Sequence, residues 1–274
     1  MTEFGSDGFL SDEISAWEKN FEQLYASRLE LSIAVNRLAH QLIFSIYIAP
    51  NELKDLLLST LLARQAGTFQ GFVVLSRKGM IFQSEMLIRA LAESMFLVGA
   101  IRKCPEFAEQ WIVSDEVSRK RGLVRLNEDR RRRGEPPDEK AAALVAELEK
   151  RIRDEKLEKL STEKIAKIAG LESYYDTLYG FFSMAVHSSS RSLDKALETD
   201  DQGVVTAIDY GPEIDGFEMH FDYAISMTLY VLHEISAHFK KETSEIERLQ
   251  KMNHELAEGA QQTVAADLPK MGSG

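Results

Sequence analysis

The chain has 274 residues, 44% hydrophobic and 28% charged, with a formal net charge of −11 at pH 7. That is the balance of a folded globular protein long enough to bury a real core, most simply as one large domain, and it is not the charge of a general nucleic-acid binder. The single cysteine, Cys104, excludes an internal disulfide and a cysteine-built structural zinc site. No charge-free run reaches the roughly eighteen apolar residues of a membrane span, and the start (Thr2, Glu3, Asp7) is acidic where a signal peptide is basic. The expectation is a cytoplasmic protein with no membrane partner.

Six prolines and 16 glycines are few for this length and favour long uninterrupted elements. Ser11, with Asp12 and Glu13 behind it, is placed to cap a helix in which Ile14, Trp17, Phe21, Leu24 and Tyr25 recur at helical spacing. Leu31, Val35, Leu38, Leu42 and Ile46 mark a second helix that stops at Pro50, so residues 1–50 form an N-terminal helical pair. A bundle domain follows over 51–260. Asn51 is read as the cap of a helix running to Ser76, and Arg77-Lys78-Gly79 is a helix C-terminus signal. Met80 to Lys103 is the most apolar helix, ended by Pro105.

A helix from Pro105 to about Arg133 is broken by Gly134-Glu135-Pro136-Pro137, and Asp138 caps a charged helix to about Leu160. The latter has apolar residues only at Leu144, Val145, Leu148, Ile152 and Leu157, too few for a core of its own. Residues 127–160 are therefore expected to protrude as a charged hairpin. A short helix runs from Thr162 to Gly170, and an aromatic-rich one from Glu172 to His187. The stretch Thr199 to Gly216 is loop, with Val204 to Ile208 as half of a short hairpin. A final helix is read from Phe217 to Leu256, and 261–274 as a disordered tail. The fold class is all-α: a multi-helix bundle with a protruding charged helical hairpin and at most one short β-hairpin.

Several residues are out of place on these elements. At about 100° per residue, Phe82, Met86, Arg89, Glu93 and Phe96 share a sector of the most apolar helix, and Arg89 and Glu93 pair at i, i+4. A helix apolar nearly all round belongs in the centre, so this pair is expected to be largely buried. It either fixes helix register or lets Arg89 hold an anion. On the aromatic helix, Glu172, Asp176, Tyr179, Ser183 and His187 fall on one stripe. Buried polar groups need partners, so the two stripes are expected to face each other as one network. Between Arg119 and Arg133, eight basic residues oppose only Glu128 and Asp129, a local charge of +6; such a run usually reads as a solvated face, or as a phosphate-binding rim if it lies beside the cluster.

Two tempting patterns fail. His233-Glu234 and His238 miss the zinc-protease spacing by one residue, and Gly67 and Gly71 lie in a helix that also carries Arg64, Gln65 and Gln70. No metal or cofactor motif is complete, and none is expected.

Arg89-Ala90-Leu91-Ala92-Glu93 in one helix, with Tyr175, Tyr179 and Ser183-x-x-x-His187 in the other, resembles the domain-of-unknown-function 5677 family over roughly residues 55 to 200. The resemblance implies a bacterial helical bundle. More distantly the chain is similar to the HEPN class, many of whose members are metal-independent ribonucleases in toxin and antiphage systems with an Arg-x4-6-His motif on one helix. Here Arg191 follows His187, and Arg37 and His40 are too close, so Arg89 would have to meet His187 from another helix.

Two functions follow. One is a helical interaction or regulatory protein, self-associating, with a central polar Arg/Glu/Ser/His cluster. The other is an HEPN-like ribonuclease acting on RNA or another phosphate-containing ligand. In it His187 works as acid or base, Arg89 stabilises the phosphorane and Ser183 assists, while Glu93, Asp176, Tyr179 and Arg191 complete the binding surround.

Overall fold

The computed structural model describes residues 3–49, 51–186, 194 and 196–267. The helices are α1 (Glu3–Asp7), α2 (Ile14–Leu24), α3 (Ala26–Ser45), α4 (Leu53–Arg77), α5 (Ile81–Lys103), α6 (Phe107–Arg132), α7 (Glu139–Asp154), α8 (Thr162–Ala169), α9, α10 (Phe217–His238) and α11 (Ser244–Asp267). Helix α9 is three consecutive pieces, α-helical at Glu172–Tyr174 and Gly180–Val186 with a π-turn at Tyr175–Tyr179 between them. Strands β1 (Leu197–Thr199) and β2 (Val205–Ile208) make one antiparallel hairpin that pairs Leu197 with Ile208 and is exposed on both strands. The chain is an all-α bundle, 77% helical.

Helix α5 is the axis. It is buried at Ile88, Leu91, Ala92, Met95, Phe96, Val98, Gly99, Ala100 and Ile101, on every side of its C-terminal half. Helices α4, α8, α10 and the last part of α9 pack around it, as its wide apolar surface requires. Contact with α8 is close because Gly99 has no side chain: a Cβ there would lie 2.9 Å from both Ala169 Cβ and the Tyr230 hydroxyl.

Helices α2 and α3 share this core. Phe21 stacks edge-on against Phe217 at 5.1 Å, Phe72 meets Phe221 at 5.1 Å, and Tyr25 lies 6.0 Å from Phe221. The Tyr25 hydroxyl donates to the Ile214 carbonyl (2.9 Å) and accepts from the Phe217 N–H (3.3 Å), so it caps the start of α10. Burial, with Glu218 nearby, pushes the Tyr25 phenol well above its ordinary value.

Most boundaries follow the expected caps. Asp138 accepts from Ala141 N–H (3.0 Å), Ser161 accepts from Lys164 N–H (3.1 Å), and Gly170 ends α8 in the left-handed conformation at φ 63°. The hairpin α6–α7 stands where the charge pattern placed it. Five boundaries differ. Ser11 is not the N-cap of α2: Glu13 holds that place, and its N–H donates to Ser11 Oγ (3.0 Å). Helix α7, read to about Leu160, ends at Asp154, and Lys156 just beyond takes φ 51°. Asn51 is not the cap of α4: it sits at φ 67°, and Glu52 occupies the N-cap. Residues 261 to 267, read as tail, continue α11.

The single helix read from Phe217 to Leu256 is two, α10 and α11. Lys240 takes φ 53° and Lys241 N–H bonds back to the Ser236 carbonyl at 2.8 Å, the six-to-one bond of a Schellman end. The signal was hidden because lysine, not glycine, holds the left-handed position. The reversal lays α11 across α10 and α3, burying Ile246 and Leu249. Among the described residues no helix is long and apolar enough to cross a membrane.

One ion pair locks that reversal. Arg28 on α3 grips Asp222 on α10 through Nε–Oδ1 (2.9 Å) and Nη2–Oδ2 (3.1 Å) and reaches the Leu256 carbonyl of α11 (3.4 Å). The two side chains are only 11% and 15% exposed. Burial raises the Asp222 carboxyl above its ordinary 3.8, with the hydrogen bond from Arg28 acting in the opposite direction. A carboxyl raised in the folded state binds its proton more tightly there, so its contribution favours folding below the unfolded value and is lost as pH rises through the folded one. Arg28→Met leaves Asp222 as an uncompensated charge and is expected to cost about 3–5 kcal/mol near neutral pH. The loss should shrink at acidic pH, as the raised carboxyl takes up a proton. Urea melts at the two pH values check this; an equal loss at both would show that Asp222 carries no buried charge.

Candidate functional site

The polar residues of α5 form a row at i, i+4 and i+8: Glu85, Arg89 and Glu93. Burial falls along it. Glu85 is 3% exposed, whereas the Arg89 side chain is 19% and the Glu93 side chain 36% exposed. The expected pair forms, with Arg89 Nε 3.2 Å from Glu93 Oε1. Its expected deep burial does not hold for Glu93. The sector with Met86 and Glu93 faces outward, and the fully covered sides of α5 are those turned to α4, α8 and α10.

Tyr179 of α9 closes the cluster. Its hydroxyl donates to Glu93 Oε1 (2.9 Å) and accepts from Arg89 Nη2 (2.9 Å) and Nε (3.2 Å). The guanidinium carbon also lies 5.0 Å from the Tyr179 ring centre, a cation–π approach. Phe96 and Tyr175 support that ring at 6.0 Å and 5.1 Å. The guanidinium is thus held at an edge by a hydroxyl and a carboxylate and has an aromatic ring within reach.

The π-turn places Tyr179 here. It inserts extra backbone per turn, so the regular stripe read along α9 does not survive it. Glu172 and Asp176 point to solvent, Tyr179 is buried against α5, and Ser183 is half-buried. Asp176 therefore does not join the cluster. His187 and Arg191 lie outside the described residues.

A buried pair escaped the sequence reading. His220 on α10 is 4% exposed, and its Nε2 lies 3.3 Å from Glu85 Oε1. Its Nδ1 is 2.8 Å from the Gly216 carbonyl, which can only accept, so Nδ1 carries a proton. Phe182 packs edge-on to His220 at 5.6 Å, so α9 covers this pair as well. Its one legible signal is that Glu85 precedes Arg89 by one turn in the apolar helix.

His238 has a different task from metal binding. Its Nε2 lies 2.6 Å from Asp55 Oδ1, and Arg102 Nη1 approaches Nδ1 at 3.2 Å, while Arg102 Nε reaches Glu234 at 3.4 Å. An arginine can only donate, so Nδ1 accepts and the neutral ring donates to Asp55. The cluster ties the start of α4 to the ends of α5 and α10. Among the described residues no three His, Cys, Asp or Glu side chains converge as a metal site.

These burials order two substitutions. Glu85→Ala leaves His220 without its carboxylate in the core and should cost about 3–5 kcal/mol. Glu93→Ala removes a half-exposed partner and should cost about 1 kcal/mol or less. Thermal and urea melts of the two variants check the order; equal losses would place Glu93 in the core after all.

The model of a family described as a family of unknown function, DUF5677, matches residues 55–204. The match covers more than half of the chain, which therefore belongs to that family. It includes Glu85, Arg89, Glu93 and Tyr179 and stops short of His220. No curated protein and no solved structure matches the chain.

Proposed function

We propose that this member of the DUF5677 family is a helical interaction or regulatory protein that recognises an anionic group, most simply a phosphate, at Arg89. The observation that carries this reading is the fixed orientation of the Arg89 guanidinium, set by Tyr179 and Glu93, with the Arg89 side chain still 19% exposed. A guanidinium held in place loses little freedom on binding, and its planar fork suits phosphate and carboxylate oxygens. Glu93 acts as the resident counter-ion that an arriving anion displaces. The π-turn supports the same place, since such turns recur at functional sites.

A second reading is favoured by the contact of Arg89 with α9. Tyr179 brings Arg89 against the helix on which Ser183 lies, and His187 follows Ser183 by four residues in the sequence. In an HEPN-like ribonuclease of a toxin or antiphage system, Arg89 would stabilise the charge on the phosphorane and His187 would transfer the proton, with no metal ion.

One set of samples separates the two. Inorganic phosphate, nucleotides and a short RNA are titrated into wild type, Arg89→Gln and Tyr179→Phe while the melting temperature is followed. Recognition at Arg89 is expected to raise the wild-type melting temperature with at least one of these ligands, and Arg89→Gln to abolish the rise. Equal shifts in wild type and Arg89→Gln reject the site. RNA integrity in the same tubes, with chelator present and with His187→Ala as comparison, decides the second reading: cleavage by wild type alone supports it, and intact RNA removes it.

A further inference from the structure

The protruding hairpin carries a charged surface that neither reading uses. Within α6, some basic residues serve the hairpin itself. Lys120 pairs with Glu149 of α7 at 2.9 Å, Arg130 Nε donates to the Pro136 carbonyl at 2.8 Å, and Arg133 bridges Asp129 (3.1 Å) and Glu135 (3.2 Å). Arg151 of α7 returns to Glu116 of α6. Asn127 on the same side fixes the turn, accepting from the Asp138 N–H at 2.9 Å.

Arg121, Arg125 and Arg132 do none of this. All three are exposed and make no ion pair among the described residues. On the helix they lie within about 40° of one another and about 150° from the side that faces α7. They span about 16 Å of helix axis. Gly122 beside them leaves open space where a side chain would be. The stripe belongs to a segment of net charge +6 on a chain of net charge −11.

We propose that this outer face of α6 binds the phosphodiester backbone of a nucleic acid without reading its sequence. Arg121 and Arg125 stand on successive turns and Arg132 two turns further on, with exposed Glu128 on the turn between; three arginine forks against one carboxylate leave a net positive face for a row of phosphates. The neighbouring outward residues, Ser118 and Gly122, offer no aromatic surface on which a base would stack. A membrane-surface helix needs Trp, Phe or Leu beside its basic face, and the nearest exposed large apolar residue, Leu126, is about 120° away. A protein interface would need buried apolar anchors at its centre, which the stripe lacks. This binding is independent of the Arg89 cluster.

The test is fluorescence anisotropy of a labelled single-stranded RNA, and of the DNA of the same sequence, over a range of salt concentrations. Three proteins are compared: wild type, the triple variant Arg121→Gln, Arg125→Gln, Arg132→Gln, and a charge-matched control, Lys19→Gln, Arg37→Gln, Lys251→Gln. Circular dichroism verifies that all three keep their helices. Wild type and control are expected to bind both probes, more weakly as salt rises. The triple variant should bind at least tenfold more weakly at low salt, with a log–log salt slope shallower by about two units, three contacts at roughly 0.7 each. Four outcomes overturn the proposal: no wild-type binding at low salt, equal losses in the triple variant and the control, binding of RNA alone, and capture of phosphatidylserine vesicles in place of either oligonucleotide.

Discussion

The C-terminal half of the 23-residue helix α5 is buried on nearly every side, and the arrangement of this bundle follows from covering its apolar faces. Helices α4, α8, α9 and α10 take the positions around it. The polar residues that α5 does carry then dictate registration. Helix α10 brings His220 to the deeply buried Glu85, and the ring of His220 is oriented by the Gly216 carbonyl at the start of the same helix. Tyr25 holds that start from the opposite side. One helix terminus is thereby fixed from two directions, and α10 cannot slide along α5 without leaving a buried polar group unmatched.

The π-turn of α9 makes sense within this frame. A regular α-helix would carry the 172–187 stripe down one side and put Tyr179 in line with Asp176. The wider turn swings Tyr179 inward, so that its ring joins Phe96 and Tyr175 while its hydroxyl meets Arg89 and Glu93. Such a turn weakens the local backbone bonding and persists where side-chain contacts outweigh that loss. The contacts of Tyr179 are of that kind: aromatic packing, a hydrogen bond to a carboxylate, and a ring within reach of a cation. The same residues that compensate the irregular backbone orient Arg89.

Legibility in the sequence followed the strength of the local signal. Asp138 and Gly170 were readable because each is chemically typical of its position at a helix end. The end of α10 was not, because Lys240 adopts a conformation that glycine usually marks. The Arg89–Glu93 pair was readable from its spacing. Its degree of exposure was not, since a wheel drawn on one helix does not show which neighbours cover which side. Tyr179 was found for an imperfect reason, as a member of a stripe that the π-turn dissolves. His220 was missed because a histidine between Phe217 and Phe221 looks like any core residue until Glu85 is placed 135 positions earlier and 3.3 Å away.

The hairpin obeys a different economy from the core. Its own apolar contacts are few: Ala141 and Leu148 are the buried apolar residues of α7. The ion pairs joining α6 and α7, Lys120 with Glu149 and Arg151 with Glu116, lie at the surface, where solvent screening leaves them little net weight. In so lightly held an element, Arg121 and Arg125 stand at i, i+4 on the same face, a like-charge spacing that destabilises a helix by roughly 0.2–0.5 kcal/mol. Glutamate at either position would have relieved that repulsion and added an intrahelical pair. Glu128, exposed on the same side, stands at i+3 from Arg125 and i−4 from Arg132 and offsets part of that repulsion. The three arginines and Glu128 together leave a net positive charge on an outward face of a chain whose total is −11.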